Sequence, residues 1–250
     1  MSGTVLEATE GRCLRNRSGD SLLEGERTVR TSSEEGIIRF RSHLNRIPLQ
    51  PSLAIAELMA WRDMLYRLHL VGQDAFRYSG LGFGNLSIRA RQYPAGFVVT
   101  GSQTGHLDHL DCCHFCLITA WTLVPPELWA DGTIQPSSES LTHAAVYGCS
   151  DHAGAVIHVH CPELWHLQRA VDLPVTDPKA GCGTVDLALE VKRMMADLGN
   201  PETGVWILGG HEDGILAFGP DITTAGLSLL HWVAVGCIRE HQQRLTCGTA

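Results

Sequence analysis

The amino-acid sequence predicts an α/β sandwich. Short segments of β-type residues follow one another along the chain, and segments with helical periodicity lie before, between and after them. Strands that are neighbours in sequence, with helices grouped around them, favour a sandwich over a regular series of β-α-β units. With 250 residues, the chain is long enough to bury a full hydrophobic core.

Each element follows from its residue pattern. Apolar side chains recur at helical spacing from Ser52 to Leu70, and two cap-type serines precede Glu139 where a second helix opens. Runs rich in Val, Ile and Phe predict strands that end in glycine or polar loops. The predicted strands are Leu86–Arg89, Phe97–Thr100, Phe115–Leu123, Ala155–His160, Val205–Leu208 and Ile215–Phe218. The remaining predicted helices are Val185–Leu198 and Ile222–Arg244.

Residues 1–35 are polar and lack periodicity, so we predict a loose N-terminal arm followed by a single domain over residues 36–250. The formal net charge of −8 argues against nonspecific nucleic-acid binding. The polar start is unlike a signal peptide, and the longest apolar stretches are shorter than a membrane span. We therefore expect a cytoplasmic protein with mostly reduced cysteines and no nucleic-acid or membrane partner.

Cys112, Cys113 and Cys116 lie close together in an apolar run. Such a cluster can form half of a zinc site, but no second Cys-x-x-Cys pair accompanies it in the sequence. Burial in the core is therefore the favoured interpretation of these three residues.

Two histidines lie two residues apart at the end of the predicted strand Ala155–His160. This spacing places the side chains of His158 and His160 on one face of the strand, where both imidazoles can bind one ion. A catalytic zinc site needs a third protein ligand and an open position. The best third candidate is His211, whose preceding glycines allow close approach of the backbone. An exposed loop histidine is an equally good interpretation of His211 alone.

Glu139 follows Ser137 and Ser138 at a predicted helix start. Backbone NH groups and hydroxyls at such a start form a natural anion site, although Glu139 by itself is also explained as a charge that complements the helix dipole. Four residues separate it from His143, so the two side chains share one helix face. The loops Gly84–Ser87 and Thr100–Gly105 offer NH groups and hydroxyls without charge, which suits a phosphate or carboxylate but is also typical of simple turns.

Taken in order, these segments resemble the class II aldolase and adducin family over roughly residues 50–245. The motifs that carry the resemblance are Gly84-Asn85-Leu86-Ser87-Ile88-Arg89, Thr104-Gly105, Pro136-Ser137-Ser138-Glu139 with His143, and Val156-Ile157-His158-Val159-His160. The resemblance implies a three-layer α/β/α sandwich around a mostly antiparallel sheet, commonly assembled as a homotetramer.

The resemblance to the sugar-phosphate aldolases of this family also implies roles for individual residues. It implies zinc as the cofactor, with His158, His160 and His211 as its ligands and Glu139 as the catalytic acid and base. The implied phosphate cradle consists of Gly84, Asn85, Thr104, Gly105, Ser137 and Ser138.

The chain departs from these aldolases in three places. Two residues separate His211 from the next glycine, where many of the aldolases have histidine directly before it, and this leaves Glu212 or Asp213 open as a different ligand or base. The loop Thr100–Gly105 is one residue longer. The C-terminal region also contains no tyrosine of the kind that some of these aldolases use as an acid.

We therefore expect a metal-dependent lyase that acts on a sugar-phosphate-like hydroxy-carbonyl compound of carbohydrate metabolism through a metal-stabilised enediolate. Decarboxylation, dehydration and epimerisation use the same chemistry and stay open as alternatives. An alternative from a different class is a non-catalytic interaction module of the adducin type. The joint presence of His158, His160 and Glu139 favours the enzyme.

Overall fold

The computed structural model describes residues 36–247, so the predicted arm over residues 1–35 lies outside the described residues. The strands are β1 (Arg41–Asn45), β2 (Gly72–Gln73), β3 (Gly82–Phe83), β4 (Asn85–Arg89), β5 (Phe97–Thr100), β6 (Phe115–Thr122), β7 (Glu127–Gly132), β8 (Ala155–His160), β9 (Gly204–Ile207) and β10 (Gly214–Gly219). The helices are α1 (Leu53–Arg67), α2 (Ser140–Cys149), α3 (Pro162–Trp165), α4 (Val185–Asp197) and α5 (Ile222–Cys247).

Eight strands form one central sheet in the order β1-β7-β6-β5-β4-β8-β10-β9, and β2 pairs separately with β3. Every neighbouring pair in the large sheet is antiparallel except β1 with β7. Antiparallel strands need only short connections, which agrees with strands that follow closely in sequence. The sheet is thus mostly antiparallel, as the sequence predicts.

Helices cover both faces of the sheet. Side chains on alternate positions of β8 separate into two buried clusters, Val156 on one face and Ala155, Ile157 and Val159 on the other. Residues of α2 and α4 pack with the first cluster, and residues of α1 and α5 pack with the second. The predicted three-layer α/β/α sandwich is confirmed.

The helix α5 is long and apolar enough to cross a membrane by length and composition alone, contrary to the expectation that every apolar stretch is shorter than a span. Its side chains Ile222, Ala225 and Leu229 are buried against the sheet, in one cluster with residues of β8 and β10. The hydrophobicity of α5 therefore serves, along this face, to cover the core.

The sequence patterns miss two strands of the central sheet, β1 and β7, and the short pair β2 and β3. Buried and partly buried residues alternate along β7, but the run Glu127–Gly132 is short and half polar, so its alternation is weak in the sequence. Hydrogen bonding to β6 stabilises β7 despite this weak hydrophobic pattern. The prediction that the cysteine cluster is buried is correct only in part, because Cys116 is buried whereas Cys113 is exposed.

A buried polar network links α2 to the sheet. His143 is fully buried, and its Nδ1 lies 2.7 Å from the hydroxyl of Ser87, which also bonds the hydroxyl of Tyr147 at 2.8 Å. Burial lowers the pKa of His143 from 6.5 to about 4, and the negative charge of Glu139 opposes this shift only in part. The imidazole of His143 is thus neutral in the folded chain near neutral pH.

We predict that this burial makes stability depend on pH. The folded pKa of His143 lies below the unfolded value, so its contribution to stability is complete above about pH 6.5 and is lost as the pH falls toward 4. By this linkage, His143 alone should lower the free energy of unfolding by about 2 kcal/mol between about pH 7.5 and about pH 5. Urea unfolding of the wild type and of His143→Gln measures the difference.

His143→Gln should show a smaller drop with pH, because glutamine has no proton to gain in this range. His152→Gln is the control, since it removes an exposed histidine by the same substitution. An equal drop in the wild type and in His143→Gln would contradict the assignment to His143.

The contact between α1 and α5 depends on a glycine. A Cβ atom on Gly226 of α5 would lie 2.2 Å from the nearest ring atom of Trp61 on α1. We predict that Gly226→Ala lowers the free energy of unfolding by about 1–3 kcal/mol, because the ring must leave its place. Thermal or urea unfolding measures the change. Leu227→Ala, at an exposed position of the same helix, is the control, and an equal effect of both substitutions would contradict the prediction.

Candidate active site

The strand β8 delivers two histidines to one place. His158 and His160 are each only 1% exposed and lie on the same side of the strand, as their spacing predicts. Hydrogen bonding fixes their register, because His158 lies opposite Asn85 of β4 and His160 lies opposite Gly214 of β10. Because β8 pairs with β4 on one side and β10 on the other, it is a rigid strand that holds the two imidazoles near its end.

The loop between β9 and β10 brings His211 to the same place. Its ring centroid lies 4.7 Å from that of His158 and 4.8 Å from that of His160. One nitrogen from each of the three rings lies within 4.8 Å of the others, and all three residues are buried. Glu212 is exposed instead, and Asp213 directs its carboxylate to Tyr78. Of the three candidates in this loop, His211 is the one that joins the histidine pair.

Glu139 places its carboxylate against this cluster. It occupies the position directly before α2 and is 1% exposed. Its Oε2 lies 3.0 Å from Nε2 of His158, and its Oε1 lies 3.2 Å from Nδ1 of His211. The side-chain amide of Asn85 donates to Oε2 at 2.8 Å. Glu139 thus faces the imidazoles instead of capping its own helix.

The donor set suits a divalent cation. The Nδ1 of His158 lies 3.1 Å from the backbone carbonyl of Ile215, and a carbonyl only accepts, so Nδ1 carries the proton and donates. The Nε2 of His158 then presents its lone pair toward the Glu139 carboxylate, and such a pair is held by a shared proton or by a cation. Three buried imidazoles with a second group that orients a ring are typical of zinc sites.

The predicted cradle pairs also come together. One pocket is lined by glycines and uncharged polar residues from four segments of the chain, namely Gly36, Gly82, Gly84, Asn85, Gly101, Ser102, Gln103, Thr104, Gly105, Ser137 and Ser138. Backbone bonds join the segments, because Ser137 N donates to Thr100 O and Ser102 N donates to Gln135 O. All six predicted cradle residues line this pocket, and Asn85 also contacts Glu139.

Glycine is required where two cradle loops pack against residues 71 and 72. Gly84 has a φ of +75°, and a Cβ atom there would lie 2.5 Å from the side chain of Val71. A Cβ atom on Gly105 would lie 2.1 Å from the backbone oxygen of Gly72. The absence of side chains at these two positions lets the cradle loops pack directly against residues 71 and 72.

Three residues of the site escaped the sequence patterns. Tyr78 packs its ring against His160, with 4.4 Å between the centroids. Cys182 is buried, and its sulfur lies within 4.8 Å of a carboxylate oxygen of Glu139 and a nitrogen of His211. Neither residue belongs to a periodic segment, so only the fold brings them to the cluster.

The third missed residue is Arg62, a buried cation behind the cradle. Its guanidinium is 3% exposed and donates to the backbone carbonyls of Thr104 and Asp108, both at 3.1 Å. Burial lowers the pKa of Arg62, while the nearby carboxylate of Asp63 opposes the shift. Its spacing from Leu58 and Leu65 on α1 is the signal that would have placed it on the inner helix face.

Comparison with known proteins agrees with this architecture. The family model of the class II aldolase and adducin N-terminal domain matches residues 73–232, whereas no curated protein sequence is a significant match. Several solved structures share the fold at low sequence identity.

Among them, an L-fuculose-1-phosphate aldolase from Thermus thermophilus is 20% identical with a TM-score of 0.56, covering 79% of this chain and 97% of its own. A sugar-phosphate aldolase from Thermotoga maritima is 17% identical with a TM-score of 0.57, covering 77% and 95%. YgbL from Klebsiella pneumoniae, described as a putative aldolase/epimerase/decarboxylase, is 17% identical with a TM-score of 0.55, covering 74% and 87%.

The low identities mean that the solved structures establish the fold alone. The family model, in contrast, spans more than half of the sequence and includes β4, β8 and the histidine loop. The chain therefore belongs to the class II aldolase and adducin family.

Proposed function

We propose that this protein is a metal-dependent lyase that cleaves a small hydroxy-carbonyl compound, a sugar phosphate or a close relative, through an enediolate. The observation that carries the proposal is the contact of one buried carboxylate, Glu139, with His158 at 3.0 Å and His211 at 3.2 Å. A carboxylate held beside three converging imidazoles combines a proton carrier with a cation site.

His158, His160 and His211 are the residues proposed to hold the cation, and zinc is the proposed ion because imidazole nitrogens suit it. When bound, the ion supplies the positive charge that stabilises the negative oxygen of an enediolate. The burial of the three rings and the convergence of their nitrogens within 4.8 Å of one another support this role.

Glu139 is proposed to carry the proton. The amide of Asn85 donates to Oε2 and so helps to orient the carboxylate, whose Oε1, 3.2 Å from Nδ1 of His211, is the oxygen proposed to exchange a proton with the substrate. The backbone NH of Glu139 donates to the hydroxyl of Ser137 at 3.3 Å, within the turn before α2.

The neutral pocket beside Glu139 is proposed to bind the phosphate. Its pairs Gly84 and Asn85, Thr104 and Gly105, and Ser137 and Ser138 offer hydroxyl, amide and backbone NH donors. The shared residue Asn85 makes the pocket and the histidine cluster adjacent, as required for one small substrate to reach both. We further propose a cytoplasmic homotetramer, in line with the family resemblance.

Decarboxylation, dehydration and epimerisation are the closest competing reactions, because each passes through the same kind of stabilised anion. Purified protein incubated with sugar phosphates and with phosphorylated hydroxy-acids distinguishes them by product. Carbonyl fragments from C–C cleavage support the aldolase-type lyase, whereas release of carbon dioxide, loss of water or inverted stereochemistry would assign one of the other reactions.

We predict that the purified full-length chain carries about one divalent ion and that His160→Ala abolishes its binding, because two imidazoles alone hold zinc weakly. Elemental analysis after dialysis against metal-free buffer measures the ratio. His152→Ala, which removes an exposed histidine, is the control and should keep the ion. A wild type that binds no metal would contradict the lyase and favour the adducin-type interaction module.

We also predict that Glu139→Gln keeps the metal but lowers turnover by about a hundredfold to ten-thousandfold, because the amide cannot carry the proton. Glu202→Gln, at an exposed carboxylate, is the matched control and should leave turnover unchanged. Steady-state rates on the active substrate, together with metal analysis, provide the measurement. Normal turnover in Glu139→Gln would remove Glu139 from the proposed role.

A further inference from the structure

Two aromatic rings, Tyr78 and Phe83, pack against the imidazole of His160. The ring of Tyr78 meets it edge-on, with 4.4 Å between centroids and 76° between planes, and Phe83 lies 5.2 Å away. Tyr78 and Phe83 also pack on each other at 5.0 Å. The orientation of His160 therefore depends on where the ring of Tyr78 is held.

The backbone at Tyr78 is in an unfavourable conformation. Three consecutive residues are left-handed, Tyr78 with a φ of 49°, Ser79 with 58° and Gly80 with 73°. Only the last of them is glycine, and other residues adopt this region at a cost in free energy. Side-chain interactions must therefore hold Tyr78 in place.

A hydrogen bond to Asp213 supplies this interaction. The hydroxyl of Tyr78 donates to Oδ2 of Asp213 at 2.6 Å, and both residues are buried. Arg77 donates to the same oxygen at 3.2 Å and places its guanidinium over the rings of Tyr78 and Phe83. The arginine thus neutralises a carboxylate that would otherwise be costly to bury.

Asp213 in turn is tied to the histidine strand. Its own backbone is left-handed, with a φ of 62°, and its carbonyl accepts a hydrogen bond from the backbone NH of Cys161 at 2.8 Å. Cys161 directly follows His160. Asp213 is therefore linked to His160 in two ways, through the backbone of the next residue, Cys161, and through the ring of Tyr78.

We propose that Tyr78 and Asp213 are positioning residues that hold the His160 imidazole in the orientation that binds the metal. The inference rests on the proposed function, because it takes His160 as a ligand. It also gives a role to the two residues between His211 and Gly214, which are the additional length of this loop. Exposed Glu212 completes the turn, and Asp213 reaches Tyr78.

The geometry favours this role for Asp213 over that of a metal ligand. Its carboxylate bonds Tyr78 and Arg77, and among the described residues the group of converging imidazoles does not include it. Outer partners of this kind fix ring orientation and alter metal affinity without touching the ion.

The experiment measures Co²⁺ binding to the full-length, metal-free chain, using the visible absorption of the bound ion and competition with a chromophoric chelator. Tyr78→Phe keeps the ring but removes the hydroxyl, and Asp213→Asn keeps the shape of the acceptor side chain but removes its charge. Each should weaken Co²⁺ binding by about tenfold and change the absorption bands. The double variant should bind no more weakly than the weaker single one, because one change removes and the other weakens the same contact between Tyr78 and Asp213.

Tyr147→Phe is the matched control. It removes the hydroxyl of another buried tyrosine, one that bonds Ser87 and not a residue beside His160, and should leave Co²⁺ affinity and absorption at wild-type values. A purely structural effect of losing a buried hydroxyl would appear equally in this variant.

The outcomes separate the two proposals. If the wild type binds Co²⁺ and Tyr78→Phe matches it in affinity and absorption, the positioning role is overturned while the proposed function stands. If the wild type binds no Co²⁺, the proposed function fails and the inference fails with it. If Tyr78→Phe does not fold, Asp213→Asn decides, and wild-type Co²⁺ binding by Asp213→Asn overturns the inference.

Discussion

The arrangement of the site depends on the contacts of one buried carboxylate, that of Glu139. A charge that is 1% exposed is costly unless polar groups surround it, and here the partners come from three separate parts of the fold. Asn85 comes from β4, His158 from β8 and His211 from the loop between β9 and β10. The pairing order β4-β8-β10 in the sheet brings these elements side by side, so the geometry of the site follows from the sheet topology.

Backbone strain is concentrated around this site. Of the six non-glycine residues with positive φ in the described part of the chain, four lie in loops that border the histidine cluster or the cradle, namely Tyr78, Ser79, Gln103 and Asp213. Such conformations persist only where surrounding contacts hold them. The hydrogen bond between Tyr78 and Asp213 is one such contact, and it lies directly beside His160. The surrounding packing therefore stabilises a site geometry that the local sequence does not favour.

Local sequence patterns are sufficient to predict an element wherever its hydrophobic periodicity matches the burial of its side chains in the fold. The alternation of β8 predicted that His158 and His160 share one face, and helical spacing predicted α1 within a few residues. The strands β1 and β7 were missed because their stability comes from pairing with a neighbour and not from a strong hydrophobic pattern. Assignment of the cradle residues came from resemblance alone, since each glycine-and-hydroxyl loop is an ordinary turn when considered by itself.

The sequence by itself determined the sandwich, the family and the histidine pair, because these depend on short-range periodicity and on motifs that stay contiguous along the chain. Only the tertiary structure decided that Glu139 turns toward His158 and His211, that His211 and not Asp213 joins the cluster, and that Tyr78 packs on His160. These contacts join residues far apart in the chain. Their geometry follows from strand register and from loop conformations that only the packed fold can hold.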